Sequence, residues 1–402
     1  MAEDFKILMV CTEYPPMQGG VGRYTHNLVK SLHSNGLEVI VVSGSYGSEE
    51  YKGISPNNYN NSELLLKFVK EIESDIVHIQ HEFGLYGFFM NPLLPSKAWT
   101  GLDEFYNKCK TPIVTTFHTS MYFRQWMRLI NIKERGNDKD FLRLYSLTNT
   151  GDTLLIILLC IGLTRIMSKS AYGLVLSNYM KELIPGTNVL YHGSNPHFDS
   201  DLTRNEARKR LHLPQKGRLA LAQGFITNTK GWDIIRKIKM PKDWRLVVNY
   251  SKNFYNNEKI DFEFQDDKVI NLNKRYLSEE ELSLLFFSCD AVFLPYKVCS
   301  GSGVMYDGIG HGKPFVGSDL EFFKEFSSIN LGIVTKRNPR SFEQAFMEMD
   351  RNYPFFKSRI EEFRKNLVWD NIAKQHISIY KSITRDKSTE SPPAVEIIRK
   401  TQ

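Results

Sequence analysis

The residues best suited to chemistry lie in the stretch 294–319, LPYKVCSGSGVMYDGIGHGKPFVGSD. It opens on the end of an apolar run and continues through a Ser-Gly-Ser-Gly loop at 300–303 into a helix-like segment. Glycine lets the backbone approach an anion without an intervening Cβ, and Ser302 adds a hydroxyl donor. A strand–loop–helix order also directs backbone N–H groups and a helix N-terminus at one point. The stretch therefore predicts a phosphate-binding loop, with a tightly packed βα turn as the alternative.

A second glycine loop, MQGGVGRY, lies near the start of the chain at 17–24. It follows the apolar run 5–11 and precedes a predicted helix that continues to about His33. Its GGxG spacing lacks the third glycine of GxGxxG, and no acidic residue ends the next predicted strand. These two departures exclude a nicotinamide dinucleotide cofactor.

Polar side chains stand where predicted strands of the first half end. Glu13 follows the first strand, His81 and Glu82 follow the third, and His118 follows the fourth. The carboxyl ends of parallel strands meet at one edge of a sheet, where ligands bind. A lone histidine at a strand end is more often a structural hydrogen-bonding group. Four polar residues at corresponding ends favour a functional site.

Length and composition are those of a folded protein with two domains. The chain has 402 residues, of which 42% are hydrophobic and 24% charged. A formal net charge of +7 suits an anionic partner such as a sugar nucleotide, an acidic lipid or nucleic acid. No nucleic-acid-binding module is recognisable in the sequence, so nucleic acid is not an expected partner.

Cysteine usage and the first residues both favour the cytoplasm. The five cysteines are scattered without CxxC spacing, which argues against a metal cluster or a disulfide framework. The opening sequence, MAEDFKILMV, has acidic residues where an export signal needs basic ones, and its apolar run is too short. We expect a cytoplasmic protein.

Apolar runs alternate with helix-like segments throughout both halves of the chain. This order predicts an α/β protein with two Rossmann-like, doubly wound domains that face a cleft. In the second half, the clearest predicted strands are 219–223, 291–294 and 315–317. Weakly apolar, charged sequence places the domain boundary near 197. The predicted units are an N-terminal domain (1–196), a C-terminal domain (197–367), an amphipathic terminal helix (368–384) and a disordered tail (385–402).

Two segments raise the question of membrane contact. The segment 122–147 interleaves arginines and lysines with aromatic and aliphatic residues, which suits an anionic bilayer surface and suits a solvated helix face equally well. The most apolar segment, LLIILLCIGL at 154–163, is about half the length that spans a bilayer. We expect it to be a buried helix of the first domain.

Taken in order, these motifs resemble the glycosyltransferases of GT-B architecture in the group called family 4. The resemblance covers residues 5–384. It rests on KILMVCTEYPPMQGGVGRYTHNLVKSL, DIVHIQHEFGLYG, PIVTTFHT, LSNYMKELI, YHGSN, GFITNTKG, the stretch 294–319 and WDNIAKQHISIY. Each motif alone is a weak signal, and their common order is a strong one. The resemblance implies retaining enzymes that use nucleotide-sugar donors, with the terminal helix returning to the first domain.

By position, the resemblance also implies roles for individual residues. The residues expected on the donor side are Gly19, Gly20, Gly22, Gly224, Lys230, Ser300, Ser302, Gly303 and Val304. Those expected near the transferred sugar or the acceptor are Tyr24, Glu82, His118 and His192. The expected catalytic residues are His118, Lys230 and Asp307. No metal or other cofactor is expected, because one lysine and several amides can hold a diphosphate and no DxD pair follows a strand.

The sequence departs from the family pattern at two places. Many relatives have GRLxxxKG, whose Arg and Lys bind the donor diphosphate; here Lys230 is kept and the Arg position is Phe225. Two glutamates spaced EX7E correspond here to Cys299 and Asp307. Asp307 keeps a carboxylate, one methylene shorter, whereas a cysteine accepts hydrogen bonds poorly. A subset of relatives reads SxSGV at this place, which residues 300–304 match.

The expected function is transfer of a sugar from a nucleotide-diphosphate donor to a glycan or polyisoprenoid-linked acceptor, with attachment to an anionic membrane through 122–147 as one option. Two other functions fit the same fold. A nucleotide-sugar epimerase would isomerise its substrate without any acceptor. A catalytically weak nucleotide-sugar-binding partner protein would bind a donor without transfer, as the missing Arg and Glu suggest.

Overall fold

The computed structural model describes residues 5–56, 58–86, 88–89, 99–128, 150–197, 202–251, 264, 266–272 and 276–385. Within them the chain forms two parallel sheets covered by helices, together with a short antiparallel ribbon. The α/β class with two doubly wound sheets, as predicted, is confirmed. We call each sheet with the helices that cover it a lobe.

The first sheet belongs to the first half of the chain. Its strands and those of the ribbon are β1 (Lys6–Cys11), β2 (Glu38–Gly44), β3 (Tyr51–Ile54), β4 (Ile76–His81), β5 (Phe88–Phe89), β6 (Trp99–Thr100), β7 (Ile113–Phe117), β8 (Tyr172–Val175) and β9 (Asn188–Val189). The order is β3-β2-β1-β4-β7-β8-β9, all parallel, while β5 and β6 form the ribbon. Central strands such as β4 are buried along their whole length, because helices cover both faces of the sheet.

The helices of the first half are α1 (Gly20–Ser34), α2 (Asn61–Ile72), α3 (Phe83–Tyr86), α4 (Asp103–Lys108), α5 (Thr150–Lys169) and α6 (Asn178–Leu183). Helix α1 shows why the sequence folds this way. Its residues Tyr24, Leu28 and Leu32 recur every four positions and are buried on one face against the sheet. The first glycine loop therefore opens a helix that the core holds in place.

Helix α5 contains the apolar segment 154–163. Its last part is buried, with Leu163 3% and Ile166 1% exposed, but Ile157 and Ile161 are 47% and 48% exposed. The expected helix is present, but the expectation that 154–163 is buried is wrong for Ile157 and Ile161, whose side chains face away from the lobe. No helix among the described residues combines the length and the apolarity that crossing a membrane requires.

The second lobe is built from the second half of the chain. Its strands are β10 (Arg218–Phe225), β11 (Trp244–Ser251), β12 (Val269–Asn271), β13 (Ala291–Leu294), β14 (Phe315–Ser318) and β15 (Gly332–Thr335), in the parallel order β12-β11-β10-β13-β14-β15. Its helices are α7 (Arg204–Arg210), α8 (Trp232–Ile235), α9 (Glu279–Ser288), α10 (Gly303–Gly310), α11 (Glu321–Ser328), α12 (Pro339–Arg351) and α13 (Tyr353–Phe363).

The chain passes between the lobes twice. It leaves the first lobe after β9, and it returns after a 3₁₀ turn, Arg364–Leu367. The last helix, α14 (Trp369–Arg385), then packs against α1 of the first lobe. The two connections lie side by side, since the Ser194 N–H donates to the Leu367 carbonyl at 2.6 Å. The predicted tail 385–402 lies outside the described residues, except for Arg385.

Polar contacts join the lobes along one side of the cleft. The Glu325 carboxylate of α11 accepts hydrogen bonds from the N–H groups of Asn178 (2.9 Å) and Tyr179 (2.8 Å), so a side chain of one lobe caps helix α6 of the other. The Gln125 amide donates to the Glu321 carboxylate at 2.6 Å. These contacts join the two lobes directly.

The segment 122–147 is described only as far as Arg128, and 129–147 lies outside the described residues. Within the described part, Phe123 is 49% exposed. The Arg128 guanidinium donates to the Lys297 carbonyl at 3.0 Å, so this cation faces the second lobe. Attachment of the segment to a membrane stays a prediction.

Candidate active site

A cavity of about 350 Å³ opens between the carboxyl edges of the two sheets. That volume is in the range of pockets that hold small molecules. Strand ends β1, β4 and β7 supply its wall on the first lobe, and β10 and the loop after β13 supply the opposite wall. Of the fourteen residues to which the resemblance assigned a role, twelve line it, namely Gly19, Gly20, Glu82, His118, His192, Gly224, Lys230, Ser300, Ser302, Gly303, Val304 and Asp307.

Gly22 and Tyr24 lie behind the cavity wall. The Gly22 N–H donates to the Glu13 carboxylate at 3.3 Å, so in this conformation it is not available to a donor phosphate as the resemblance implied. The Tyr24 ring is buried and packs edge-on against His118 and His192, with centroid distances of 4.9 and 5.0 Å. Tyr24 therefore packs against the two histidines and is not among the residues that line the cavity.

Glu13 occupies the N-terminus of α1. A Cβ on Gly19 would come within 1.5 Å of a Glu13 carboxylate oxygen, so only glycine permits this close approach. Burial raises the pKa of Glu13 to about 7, although its hydrogen bond from the Gly22 N–H acts in the opposite direction. The glycine loop at the start of the chain is thus shaped around an internal carboxylate that itself lines the cavity.

The serine-glycine loop begins helix α10 directly at the cavity. The Ser302 hydroxyl caps the helix by accepting from the Met305 N–H at 3.2 Å. The N–H groups of Gly303 and Val304 belong to the first turn, which has no intrahelical acceptors for them. A Cβ on Gly303 would lie 3.5 Å from the His192 Nε2, which puts this helix start beside a histidine of the other lobe. The arrangement favours an anion at this end of the cavity.

Lys230 reaches the same cavity from the loop after β10. The next residue, Gly231, has φ +80°, and a Cβ there would meet the Pro295 carbonyl oxygen at 1.9 Å. This position requires glycine for both reasons. The Lys230 Nζ lies 4.1 Å from the centre of the Tyr296 ring, a cation–π contact that directs the ammonium group. Lys230 forms no ion pair within the described part of the chain.

Arg23 is a cavity residue that sequence reasoning missed. Its guanidinium bridges the lobes, donating to Asp307 at 2.5 Å and to Glu279 at 2.6 Å. The second Asp307 oxygen accepts from the Ser194 hydroxyl at 3.3 Å. Burial alone would raise the pKa of Asp307, but the charge and hydrogen bond of Arg23 outweigh it and the pKa is lowered. The only sequence signal for Arg23 was a cation directly after the glycine loop.

Two histidines of the first lobe are neutral in this cavity. Burial, and then the neighbouring histidines, lower the pKa of His118 to about 3. Burial also lowers the pKa of His192 to about 4, and its ring stacks on Tyr306 at 5.3 Å. Both rings can therefore exchange hydrogen bonds with a ligand at neutral pH, and neither supplies a positive charge. The His118 Nε2 is 2.8 Å from the Gln80 Oε1, a partner that the sequence did not reveal.

The two departures from the family pattern have structural explanations. Phe225 lines the cavity and stacks on Tyr276, with the ring centres 6.0 Å apart and the planes at 20°. Cys299 is buried outside the cavity lining, and its N–H donates to the Gln125 amide oxygen at 3.4 Å. Burial raises the pKa of the Cys299 thiol to about 12, so it is an unreactive packing group. At positions 225 and 299, where the family pattern has charged side chains, this chain has a stacked aromatic ring and a buried thiol.

Metal ligands do not cluster in the described part of the chain: no three His, Cys, Asp or Glu side chains there are grouped as ligands. Glu13 and Glu82 both line the cavity on adjacent strand ends of the first lobe. The cations that line it are Arg23 and Lys230, of which Arg23 is paired with two carboxylates. The cavity thus combines one unpaired ammonium group, a helix N-terminus and neutral histidines.

Comparison with known proteins gives this arrangement a family context. Residues 18–146 match the family model described as Glycosyltransferase Family 4. An uncharacterized glycosyltransferase of Methanocaldococcus jannaschii is 23% identical over 414 residues, covering 94% of this chain and 98% of the relative.

Solved structures of similar fold extend over nearly the whole chain. Sucrose-phosphate synthase of Thermosynechococcus elongatus has a TM-score of 0.65 at 11% identity, covering 94% of this chain and 99% of the other. Anabaena HepE in complex with UDP has a TM-score of 0.62 at 11% identity, covering 94% and 100%. A glycosyltransferase of Rickettsia africae has a TM-score of 0.60 at 16% identity, covering 95% and 99%. The chain thus has the GT-B fold and is similar to the glycosyltransferases of family 4.

Proposed function

We propose that the protein transfers a sugar, with retention of anomeric configuration, from a nucleotide-diphosphate donor to a glycan or lipid-linked acceptor, without a metal ion. One observation carries this function: Lys230, the N-terminus of α10 and His118 converge on a single cavity between the lobes. Anabaena HepE has been crystallised with UDP and with UDP-glucose, which supports a nucleotide sugar as the ligand of this cavity as well.

The donor diphosphate would lie between Lys230 and the first turn of α10. Breaking the anomeric bond leaves negative charge on the departing phosphate, and groups already oriented toward that charge supply the largest share of catalysis. The Lys230 ammonium and the N–H groups of Gly303 and Val304 would act in this way, because all three residues line the cavity. Arg23 is less suited to the task, because Glu279 and Asp307 already balance its charge.

The transferred sugar would face the strand ends of the first lobe. His118 and His192 are neutral there and can hydrogen-bond to sugar hydroxyls without adding charge beside an oxocarbenium-like sugar. The Glu82 carboxylate, which also lines the cavity, can bind acceptor hydroxyls. The departing phosphate takes the acceptor proton, so retention requires no separate protein base in this mechanism.

Replacement of Lys230 tests the assignment. Lys230→Ala should lower turnover by about 10²-fold or more, since it removes a donor that meets developing charge. Lys237→Ala is the matched control, because Lys237 is exposed and outside the cavity lining. Turnover would be measured as donor-dependent transfer to a panel of glycan and lipid-linked acceptors. Equal rates for Lys230→Ala and the wild type would refute the proposal.

A binding protein without transfer is the second candidate function. It is favoured by the occupation of both Asp307 oxygens by Arg23 and Ser194, which leaves fewer free acceptors for donor hydroxyls. A thermal-shift screen across nucleotide sugars distinguishes the two, because a bound donor raises the melting temperature whether or not it reacts. Stabilisation by a donor with no transfer to any acceptor would favour the binding protein.

A further inference from the structure

We propose that Gln80 is a positioning residue: it holds His118 in the Nε2–H form and leaves Nδ1 as a hydrogen-bond acceptor for a hydroxyl of the sugar or the acceptor. This role rests on the proposed function, and it adds a residue that neither the family comparison nor the sequence motifs identify. It also ties the cavity to the last helix of the chain through a buried row of polar groups.

The first link fixes the tautomer of His118. Its Nε2 lies 2.8 Å from the Gln80 Oε1. An amide oxygen only accepts hydrogen bonds, so the hydrogen is on the Nε2 of His118. Burial keeps the His118 ring neutral, with a pKa of about 3, and a neutral ring protonated at Nε2 has an acceptor at Nδ1. His118 lines the cavity, and Nδ1 makes no hydrogen bond within the described part of the chain.

The second link fixes the orientation of the Gln80 amide. Its Nε2 donates to the Met9 sulfur at 3.2 Å and lies 3.3 Å from the His78 Nε2. A reversed amide would set its oxygen against the Met9 sulfur, which has no hydrogen to donate, so the Met9 contact alone fixes which end of the amide faces His118. Gln80 and His78 are both fully buried, where unpaired polar groups are costly, so the observed orientation is strongly preferred.

The third link reaches helix α14. The His78 Nε2 accepts from Gln80, so its Nδ1 carries the hydrogen and donates to the Tyr380 hydroxyl at 2.6 Å. The Thr116 hydroxyl lies 2.8 Å from the same His78 Nε2. His78 and Gln80 on β4, like Thr116 and His118 at the end of β7, are two residues apart and so share one face of the sheet. The row is therefore a product of strand register and not of chance contacts.

If these hydrogen-bonded side chains served the fold alone, every member of the row would lie in the core and bond only to other members. The row from Tyr380 through His78 and Gln80 instead ends at His118, whose ring lines the cavity. The role of the row can therefore be tested on the His118 ring itself.

In protein with ¹⁵N-labelled histidine, long-range ¹H–¹⁵N NMR at pH 7 should show His118 protonated at Nε2. His118→Gln identifies the signals by their loss. In Gln80→Met, which keeps the side-chain volume, the Nε2–H form should lose its dominance. A spectrum in which His118 keeps the Nε2–H form in Gln80→Met would overturn the proposal.

Kinetics supply the second measurement once wild-type transfer has been established. Gln80→Met should lower kcat at least 10-fold with less than a 3-fold change in donor Kd, because the donor phosphates bind elsewhere in the cavity. The matched control is Thr115→Val, which removes a hydroxyl that bonds Tyr106 and Ser170 in the same sheet. An equal loss of kcat in both variants would assign the effect to general packing and contradict the proposal.

Tyr380→Phe keeps the test available if Gln80→Met does not fold. It deletes only the far hydroxyl of the row, and Tyr106→Phe is its control, since Tyr106 also donates or accepts one buried hydrogen bond in this lobe. Tyr380→Phe should shift the His118 tautomer and lower kcat several-fold, and Tyr106→Phe should do neither. If the two variants behave alike, the hydrogen bonds from Tyr380 through His78 and Gln80 do not control His118, and the proposal is contradicted. Absence of transfer by the wild type would refute the proposed function, while the NMR result would still decide the role of Gln80.

Discussion

Gly231 shows how a single residue positions its neighbour Lys230 at the cavity. We expect Gly231→Ala to lower the free energy of unfolding by more than Gly36→Ala does, since both positions have φ near +80° but only Gly231 faces a close neighbour. At Gly36 a Cβ would meet nothing within 4 Å, so that variant measures backbone strain alone, about 1 kcal/mol. At Gly231 the Cβ would overlap the Pro295 carbonyl oxygen. Urea unfolding of both variants measures the difference, and equal losses would show that the overlap is relieved without cost.

The buried carboxyl group of Glu13 makes a separate prediction about pH. Its pKa in the folded protein, about 7, lies above the ordinary value of 4.5, so the folded state holds this proton more tightly than the unfolded state does. The corresponding stability is complete below pH 4.5 and is lost as the pH rises through 7. Glu13→Gln removes this loss, which amounts to about 3 kcal/mol at pH 8. The melting temperature of Glu13→Gln relative to wild type should therefore rise between pH 5 and pH 8.

The exposed carboxylate of Glu348 provides the control for that experiment. Glu348→Gln makes the same exchange of a carboxylate for an amide at the surface, so it measures the effect of losing one negative charge without burial. A constant difference between Glu13→Gln and wild type across the range would mean that Glu13 titrates in the folded protein as it does in the unfolded chain.

At the residue scale, the sequence identified what local motifs encode. Lys230 and the loop 300–303 are found because a glycine or serine pattern beside a predicted strand end has a physical meaning on its own. The sequence analysis did not identify Arg23 and Gln80 as site residues, because their hydrogen-bond partners are distant in the chain. Asp307 is 284 residues from Arg23, and no spacing rule predicts the pair. Their roles come from the lobes meeting and from strand register, which a local pattern does not contain.

The last helix, α14, is the element on which the first lobe and the cavity both depend. Trp369 at its start is 7% exposed and packs on the rings of Tyr24 and His192, at 5.3 and 5.7 Å. A Cβ on Gly193 would lie 2.3 Å from the Trp369 ring, so the ring also rests directly on the connection between the lobes. Trp369→Ala should lower the free energy of unfolding by about 3–5 kcal/mol, because it leaves a cavity where the indole packs against Tyr24 and His192.

Chemical unfolding followed by circular dichroism measures this loss, and Trp369→Phe is the control. Phenylalanine refills much of the volume and should cost less than half as much. If alanine and phenylalanine prove equally destabilising, the polar edge of the indole and not its packing would be what matters.

Element boundaries follow from the sequence wherever a strand is central. The predicted strand 291–294 matches β13, and 219–223 lies within the longer β10, because buried parallel strands are continuous apolar runs. Strand β3, at residues 51–54, was not predicted. It is an edge strand of mixed polarity, half covered by the sheet, and its sequence YKGI carries no apolar run.

For the whole molecule, buried histidines dominate the response to acid. Burial lowers the pKa of five of them to between about 3 and 4, namely His81, His118, His192, His311 and His376. Their ordinary pKa is 6.5, so below that pH the unfolded chain binds protons that the folded protein excludes. These histidines therefore do not lower the free energy of unfolding above pH 6.5. As the pH falls from 6.5 toward 4, each one lowers the free energy of unfolding by up to about 1.4 kcal/mol per pH unit.

The melting temperature should therefore fall steeply from pH 7 to pH 5. Calorimetric scans in buffers of equal ionic strength measure it. Glu13 acts in the opposite direction over part of this range, but it is one group against six, since burial also lowers the pKa of His78 well below 6.5. A melting temperature that is constant or rises on acidification would show that these rings take up protons while the protein stays folded.

The return of α14 to the first lobe also determines when that lobe can be completed. Trp369, Ile372 and Tyr380 of α14 share one apolar cluster with Ile7 and Leu28, which precede the whole second lobe in the chain. During synthesis Ile7 and Leu28 lack this cover until α14 has left the ribosome, and the second lobe is able to fold before then. A fragment cut before residue 368 would expose the apolar surface that the helix normally seals.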